Sequence, residues 1–323
     1  MNGVSGEMMG SKQITDGALM TGVYLILLLI NVFVPFLGIV VFFTLPVPFI
    51  LYSYRHGGKP GILMLFAAII LSLLVATIYS LPLTLLAGVG GLFIGISLYK
   101  QRTSYETLAI GSVGFLLGLV AVFLVTQLLF GVNWIDEINT MMDESFAMTE
   151  GMMETITGDN EATEEQIQAL QEQFKQFPDI IPSLFAIMGL VMAFISQLLS
   201  YKIINRLDRA GLKFAKFRDF KLPTSILWYY FFGMIFTWIN TDPHSTIYLA
   251  AINVFIVTGL LIALQGFAFI FYYTHVKKLS KAVPVLSIIL TILLPTVLLY
   301  LVRILGIIDL GFSLRSRLKE NKK

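Results

Sequence analysis

The sequence predicts an all-α, polytopic helical membrane protein with about nine spanning helices and an extracellular acidic helical hairpin. Three observations carry that prediction. Of its 323 residues, 57% are hydrophobic and 13% charged, with mean hydropathy +0.83, whereas a soluble chain carries about 25% charged residues. Outside the stretch 136–179, the carboxylates are Glu7, Asp16, Glu106, Asp208, Asp219, Asp242, Asp309 and Glu320 alone. The remainder falls into apolar blocks of about 20 residues, the length a helix needs to cross hydrocarbon, where charge is costly.

Residues 1–17, "MNGVSGEMMGSKQITDG", form an N-terminal cytoplasmic segment without the basic region, apolar core and cleavage site of a signal peptide. Residues 18–131 hold five spans, at 18–33, 39–54, 62–80, 85–99 and 108–130. Asn31, Pro35 and Gly38 supply the turn between the first two. Pro46 and Pro48 then interrupt the second. A proline removes a backbone donor and clashes with the carbonyl four residues back. Either the freed backbone lines a binding site, as in interrupted membrane helices, or the kink fits the helix to its neighbours. Gly88, Gly90, Gly91 and Gly95, with Gly111, Gly114 and Gly118 in the next span, follow no strand, so they serve helix packing and not a phosphate loop.

Residues 132–179 form the acidic hairpin. Ile135, Ile138, Met142, Phe146, Met153 and Ile156 recur at helical spacing, Gly158, Asp159 and Asn160 break the pattern, and Ile167, Leu170, Phe174 and Phe177 resume it. Thr163 and Gln166 have capping-box spacing for the second helix. Met141, Met142, Met148, Met152 and Met153 crowd the first. Thioethers bind Cu(I), but with no cysteine or histidine nearby a partner-binding face or the hairpin's own core is the stronger reading.

The sixth span, 181–201, lies in the segment 180–204, and a basic loop follows at 205–222. Residues 223–308 hold the last three spans, at 225–239, 247–274 and 283–305, and 309–323 is a basic tail. Trp228, Tyr229, Tyr230 and Trp238 read as interfacial anchors. Lysine and arginine mark the cytoplasmic side: Arg55 and Lys59, Lys100 and Arg102, Lys277, Lys278 and Lys281, and above all Lys202, Arg206, Arg209, Lys213, Lys216, Arg218 and Lys221. All fall on one side if the N-terminus is cytoplasmic. A ninth crossing, however, would leave the tail's Arg315, Arg317, Lys319, Lys322 and Lys323 outside. Pro295 offers two resolutions, a kinked single helix or a re-entrant segment returning the tail inward.

The absence of cysteine removes disulfide and thiolate chemistry. His56, His244 and His275 are too scattered for a metal site. No HExxH, Gly-x-Ser-x-Gly elbow, intramembrane aspartate pair or Walker loop occurs, so neither catalysis nor a cofactor is expected. The net charge of +2 points to no particular partner, and no nucleic acid is expected. Polar residues within spans carry more weight: Asn31, Gln127, Gln197, Asn253 and Gln265 either converge on a pocket or glue helices in pairs. Arg303 and Asp309, six apart in or beside the last span, pair with each other or with head groups.

The stretches "ITDGALMTGVYLILLLI", "LPVPFILYSYRHGGKPG", "FRDFKLPTSILWYY" and "LGIIDLGFSLRSR" resemble the YybS-like membrane proteins of Gram-positive bacteria. The resemblance covers nearly the whole chain and implies a multi-pass fold in the cell membrane. The first six helices also resemble, at a distance, the substrate-binding S-components of energy-coupling-factor transporters. That likeness implies a carrier-like fold and a docking motif for an energy-coupling partner, which Ala18 and Gly22 match by position. The acidic hairpin and three extra spans depart from it.

Two functional readings follow. The first is a small-molecule binding or transport subunit, with a midplane cavity bordered by the first, second and sixth helices and lined by Asn31, Pro46, Pro48, Gln127 and Gln197. The second is a membrane scaffold for envelope or division-related assembly, docking through the hairpin and the basic loop. In the loop, Arg206, Arg209, Lys213, Lys216 and Arg218 meet a partner or anionic lipid.

Overall fold

The computed structural model describes residues 10–157, 171, 174, 177–240, 242, 245–312, 314, 315 and 318, and no strand occurs among them. The helices are α1 Ser11–Phe33, α2 Pro35–Thr44, α3 Val47–His56, α4 Gly58–Ala76, α5 Leu81–Tyr99, α6 Ser104–Phe130 and α7 Trp134–Thr157. They continue with α8 Ile181–Asp208, α9 Ser225–Ile239, α10 Thr246–Val276, α11 Ala282–Leu293 and α12 Pro295–Phe312. Among the described residues, 8 stretches are long and apolar enough to cross a membrane, with α2 and α3 sharing one of them, Phe36–His56. At 15 residues α9 falls short of that length, and the expected ninth span is two helices.

One compact unit comprises Met1–Pro178 with Leu184–Lys213. Within it α5 is the hub, packing on α3, α4 and α6. Its glycines let backbones touch: a Cβ on Gly91 would sit 2.7 Å from the Pro46 carbonyl oxygen, and one on Gly95 2.7 Å from that of Ile50. The packing reading of this glycine run is therefore what the fold uses. A capping box starts α6, since Glu106 N donates to Thr103 Oγ1 (3.4 Å) and Thr103 N to Glu106 Oε2 (3.0 Å). That cap extends the helix upstream of the predicted 108. The helix stops at Gly131, whose φ of 66° suits a residue without a side chain.

The outlying α7 has two apolar stripes. Ile138, Met142 and Phe146 are half-buried, while Met141, Met148 and Met152 are exposed. Phe146 meets Phe174 with ring centroids 5.7 Å apart, and Gln171 donates to Glu150 at 3.3 Å. Partner numbers fall as α7 rises, which is the pairing of an antiparallel hairpin. The expected turn at Gly158, Asp159 and Asn160, the Thr163 and Gln166 cap, and Ile167 and Leu170 lie outside the described residues.

The other unit comprises Asp179–Ser183 and Phe214–Lys323. Here α9 runs antiparallel to α10: Phe217 packs on Phe271, Leu222 N donates to Gln265, Tyr230 stacks on Phe255, and Gly233 abuts the Phe255 backbone. By contrast α12 runs parallel to α10. Arg303 lies against Gly259, Gly306 against Ile262, Asp309 against Gln265 and Arg315 against Tyr272. Two parallel helices need a return between them, and α11 supplies it. At Leu294 (φ −128°, ψ 61°) the chain leaves the helix, and Pro295, which has no N–H to lose, starts the next one. A single kinked crossing is thereby excluded. The tail residue Arg315 ends beside Arg218, at the end of this unit where α10 terminates with Lys277 and Lys278. The twelve residues of α11 reach only about 18 Å, short of a bilayer core of about 30 Å.

Candidate functional site

In the first unit the proposed cavity residues have separate neighbours. Asn31 donates from Nδ2 to the Gly38 carbonyl (2.7 Å), stapling the turn between α1 and α2. Pro46 is the N-cap of α3 and Pro48 lies in its first turn, where amide hydrogens have no helical acceptor anyway. All residues from Leu45 to Ser53 are buried, and the Pro46 carbonyl accepts from Ile50 N at 3.0 Å. Gln127 is exposed near the end of α6. Gln197 is fully buried and donates from Nε2 to the Ser104 carbonyl (3.0 Å) and toward Tyr201 Oη (2.7 Å), fixing α8 to the start of α6. The structure thus gives Asn31, Pro46, Pro48 and Gln197 separate local tasks and leaves Gln127 on the surface.

A neutral polar chain that the sequence reading missed binds α1, α4 and α5. Tyr24 Oη donates to Thr84 Oγ1 at 2.7 Å, which lies 3.1 Å from Ser72 Oγ and 2.9 Å from the Ser80 carbonyl. All four side chains are buried. Isolated hydroxyls give no periodic signal, so only the packing reveals them. At one end of this unit, Arg55 grips Asp208 with two bonds (3.0 and 2.6 Å), and His56 Nε2 lies 3.0 Å from Asp16 Oδ2. Ala18 is exposed, and nothing lies within 4 Å of where a Cβ on Gly22 would be. Arg206, Arg209, Lys213 and Lys216 are exposed, whereas Arg218 is half-buried.

The second unit closes charge off from its surroundings. Asp309 is 2% exposed. Gln265, fully buried, donates from Nε2 to Asp309 Oδ2 (2.5 Å) and accepts Leu222 N on its carbonyl oxygen (3.0 Å). Arg315 Nε reaches both carboxylate oxygens (3.2 and 2.9 Å), and its Nη1 donates to the Arg218 carbonyl at 2.8 Å. The guanidinium also lies over the Tyr272 ring, 5.3 Å from its centroid. The carboxylate is thus neutralised from the tail, not by Arg303. Arg303 instead occupies a notch beside Tyr230, where a Cβ on Gly259 would lie 3.2 Å from its guanidinium carbon. Asn253 is a joint of the same unit, accepting Ser183 N and donating to the Asp179 carbonyl, each at 2.7 Å.

These two polar arrangements have different chemical reach. The first unit's hydroxyls hold helices together. The second unit's Arg303 and Asp309 place fixed charge inside a span, Pro295–Phe312, where an ionisable residue marks function by default.

Comparison with known proteins bears on the whole chain. A family model described as "Predicted membrane protein (DUF2232)" matches residues 22–310. The "Uncharacterized protein YybS" of Bacillus subtilis (strain 168) is 28% identical over 309 residues, covering 96% of this chain and 99% of that protein. No solved structure matches.

Proposed function

We propose a function from one premise: the chain belongs to the predicted membrane protein family DUF2232. It is a membrane-embedded small-molecule binding or transport subunit whose ligand site lies in the second unit. One observation carries this reading, the charged pair of positions Arg303 and Asp309 within α12. Burying charge in a span is expensive, and neutral hydrogen bonds suffice to glue helices in the first unit. The open face of Ala18 and Gly22 on α1 supports docking onto a partner protein, which supplies any energy the cycle needs.

The same reading orients the molecule with its basic loops and N-terminus in the cytoplasm. Return of Arg315 to the end that holds Arg218, Lys277 and Lys278 supports it, because these basic residues then share one side. Since the chain has no cysteine, single substitutions Lys278→Cys and Asn160→Cys report sidedness cleanly. Impermeant thiol reagents applied to whole cells should label the second and spare the first. Labelling of Lys278→Cys from outside overturns the orientation.

The binding reading is tested by native mass spectrometry of the purified full chain. A retained small molecule that survives deletion of residues 133–177 supports it. One observation favours the second reading, a scaffold: Met141, Met148 and Met152 are 63%, 70% and 61% exposed along one face of α7, a soft contact surface. Wild-type protein without a ligand, combined with loss of a copurifying protein on deletion, replaces the binding reading with this one.

A further inference from the structure

Along α12 the second unit forms a pocket of about 310 Å³ lined by Pro295, Thr296, Leu299, Tyr300 and Arg303. Positions 296, 299, 300 and 303 recur at spacings of three and four, so they share one helix face. The pocket sits within the span Pro295–Phe312. It is open along one side, and its volume is at the lower end of small-molecule sites, about 300 Å³ and upward.

Arg303 gives the pocket its sign. A guanidinium presents a planar fork of donors that matches a carboxylate or phosphate. Its Nε is buried without a hydrogen-bond partner, and the notch at Gly259 leaves it room beside Tyr230. Among the described residues no carboxylate forms an ion pair with it. Asp309, the acid on the same helix, is held by Arg315 and Gln265. A cation in a span without a counter-charge among the described residues calls for an anion from elsewhere.

We propose that this pocket binds a single phosphate or carboxylate group carried on an apolar body. Arg303 pairs with the anion. The hydroxyls of Thr296 and Tyr300 donate to its remaining oxygens. Pro295 and Leu299 offer an apolar wall to the first carbons behind it. One cation balances one negative charge, so polyphosphates and cationic ligands are disfavoured. This inference rests on the binding reading above and names its ligand class.

Two sources could supply such a group, an anionic lipid of the bilayer or a water-soluble amphiphilic acid. The full chain is placed in phosphatidylcholine nanodiscs, either doped with phosphatidic acid or given octanoate in solution. Native mass spectrometry and thermal shift are then recorded for wild type, Arg303→Gln, Arg303→Lys, and the double variant Thr296→Val with Tyr300→Phe. Losing a hydrogen-bonded charge partner weakens binding by about tenfold or more. Wild type should retain phosphatidic acid through delipidation, Arg303→Gln should lose it by about that factor, and Arg303→Lys should fall between, because lysine keeps the charge but not the fork. An Arg303-dependent thermal shift with octanoate alone supports the same site with a soluble source. Equal retention in wild type and Arg303→Gln overturns the proposal. If Arg303→Gln does not fold, the double variant decides, since Thr296 and Tyr300 are exposed; unchanged retention there also overturns it. Recovery of a ligand that ignores all these variants sinks the anion pocket alone. Absence of any ligand in wild type sinks the binding reading with it.

Discussion

The two units bury polarity by opposite means. In the first, the Tyr24, Thr84, Ser72 and Ser80 chain and the Gln197 amide are neutral, and the ion pairs sit at one end, where Arg55 and Asp208 keep side-chain exposures of 28% and 26%. In the second, Asp309 is closed off at 2% and is met by the guanidinium of Arg315, six residues further along the chain. Neutral hydroxyls are cheap in a dry interior because one hydrogen bond satisfies each, whereas an ion needs a counter-charge and several donors. Stability alone therefore accounts for the hydrogen-bonded hydroxyl chain of the first unit. It does not account for the polar groups of the second, and that difference locates the functional proposal.

The sharpest way to break this contrast is to leave one ion alone. Asp309→Asn or Arg315→Gln separately should destabilise the protein by about 3–5 kcal/mol, the cost of stranding half of a buried pair. The apolar double variant Asp309→Leu with Arg315→Met should recover most of that loss. Thermal unfolding in detergent reads the difference. If both single variants melt like wild type, the pair is solvated and the second unit is no different from the first.

Next in size are the helix crossings, which the two units share. Gly306 abuts the Ile262 backbone and Gly91 the Pro46 carbonyl, both closer than a methyl group can approach. Gly306→Ala and Gly91→Ala should each cost about 1–3 kcal/mol by overpacking. Similar losses in the melting temperature would confine the contrast to charge. A loss at only one position would extend it to packing. Smaller again is Tyr24→Phe, which removes a neutral donor to Thr84 and should cost about 1 kcal/mol. A loss matching that of Asp309→Asn would erase the distinction between neutral and charged burial.

Much of the fold was legible because lipid imposes length and hydrophobicity on each span. The expected segments overlie α1 through α6 and α8 through α10, with ends displaced where a local signal was overlooked. The Thr103 and Glu106 pair is such a signal, a capping box that starts α6 at Ser104, four residues before the predicted 108. The end of the chain was read less well. The run of 26 residues from Val283 to Ile308 left two alternatives at Pro295, a kinked helix or a re-entrant segment, and packing against α10 decides for the reversal at Leu294. The site had the same limit. Arg303 and Asp309 were visible as costly residues, but spacing alone could not choose between Arg303 and Arg315, each six residues from Asp309.

The double proline makes the smallest prediction and tests the first unit's side of the contrast most directly. From sequence, the break at Pro46 and Pro48 suggested backbone exposed to a cavity, so that alanine at both positions would impair function while membrane insertion persisted. In the fold, Pro46 caps α3, Pro48 occupies its first turn, and residues from Leu45 to Ser53 are buried against protein. Neither ring displaces a helical donor that alanine would restore to use. Pro46→Ala with Pro48→Ala should therefore cost only about 0.5 kcal/mol, chiefly by loosening the unfolded chain. Ligand retention should stay at the wild-type level, because the proposed site lies in α12. Loss of ligand with an unchanged melting temperature would return the binding site to the first unit, and the charges of the second would then need another explanation.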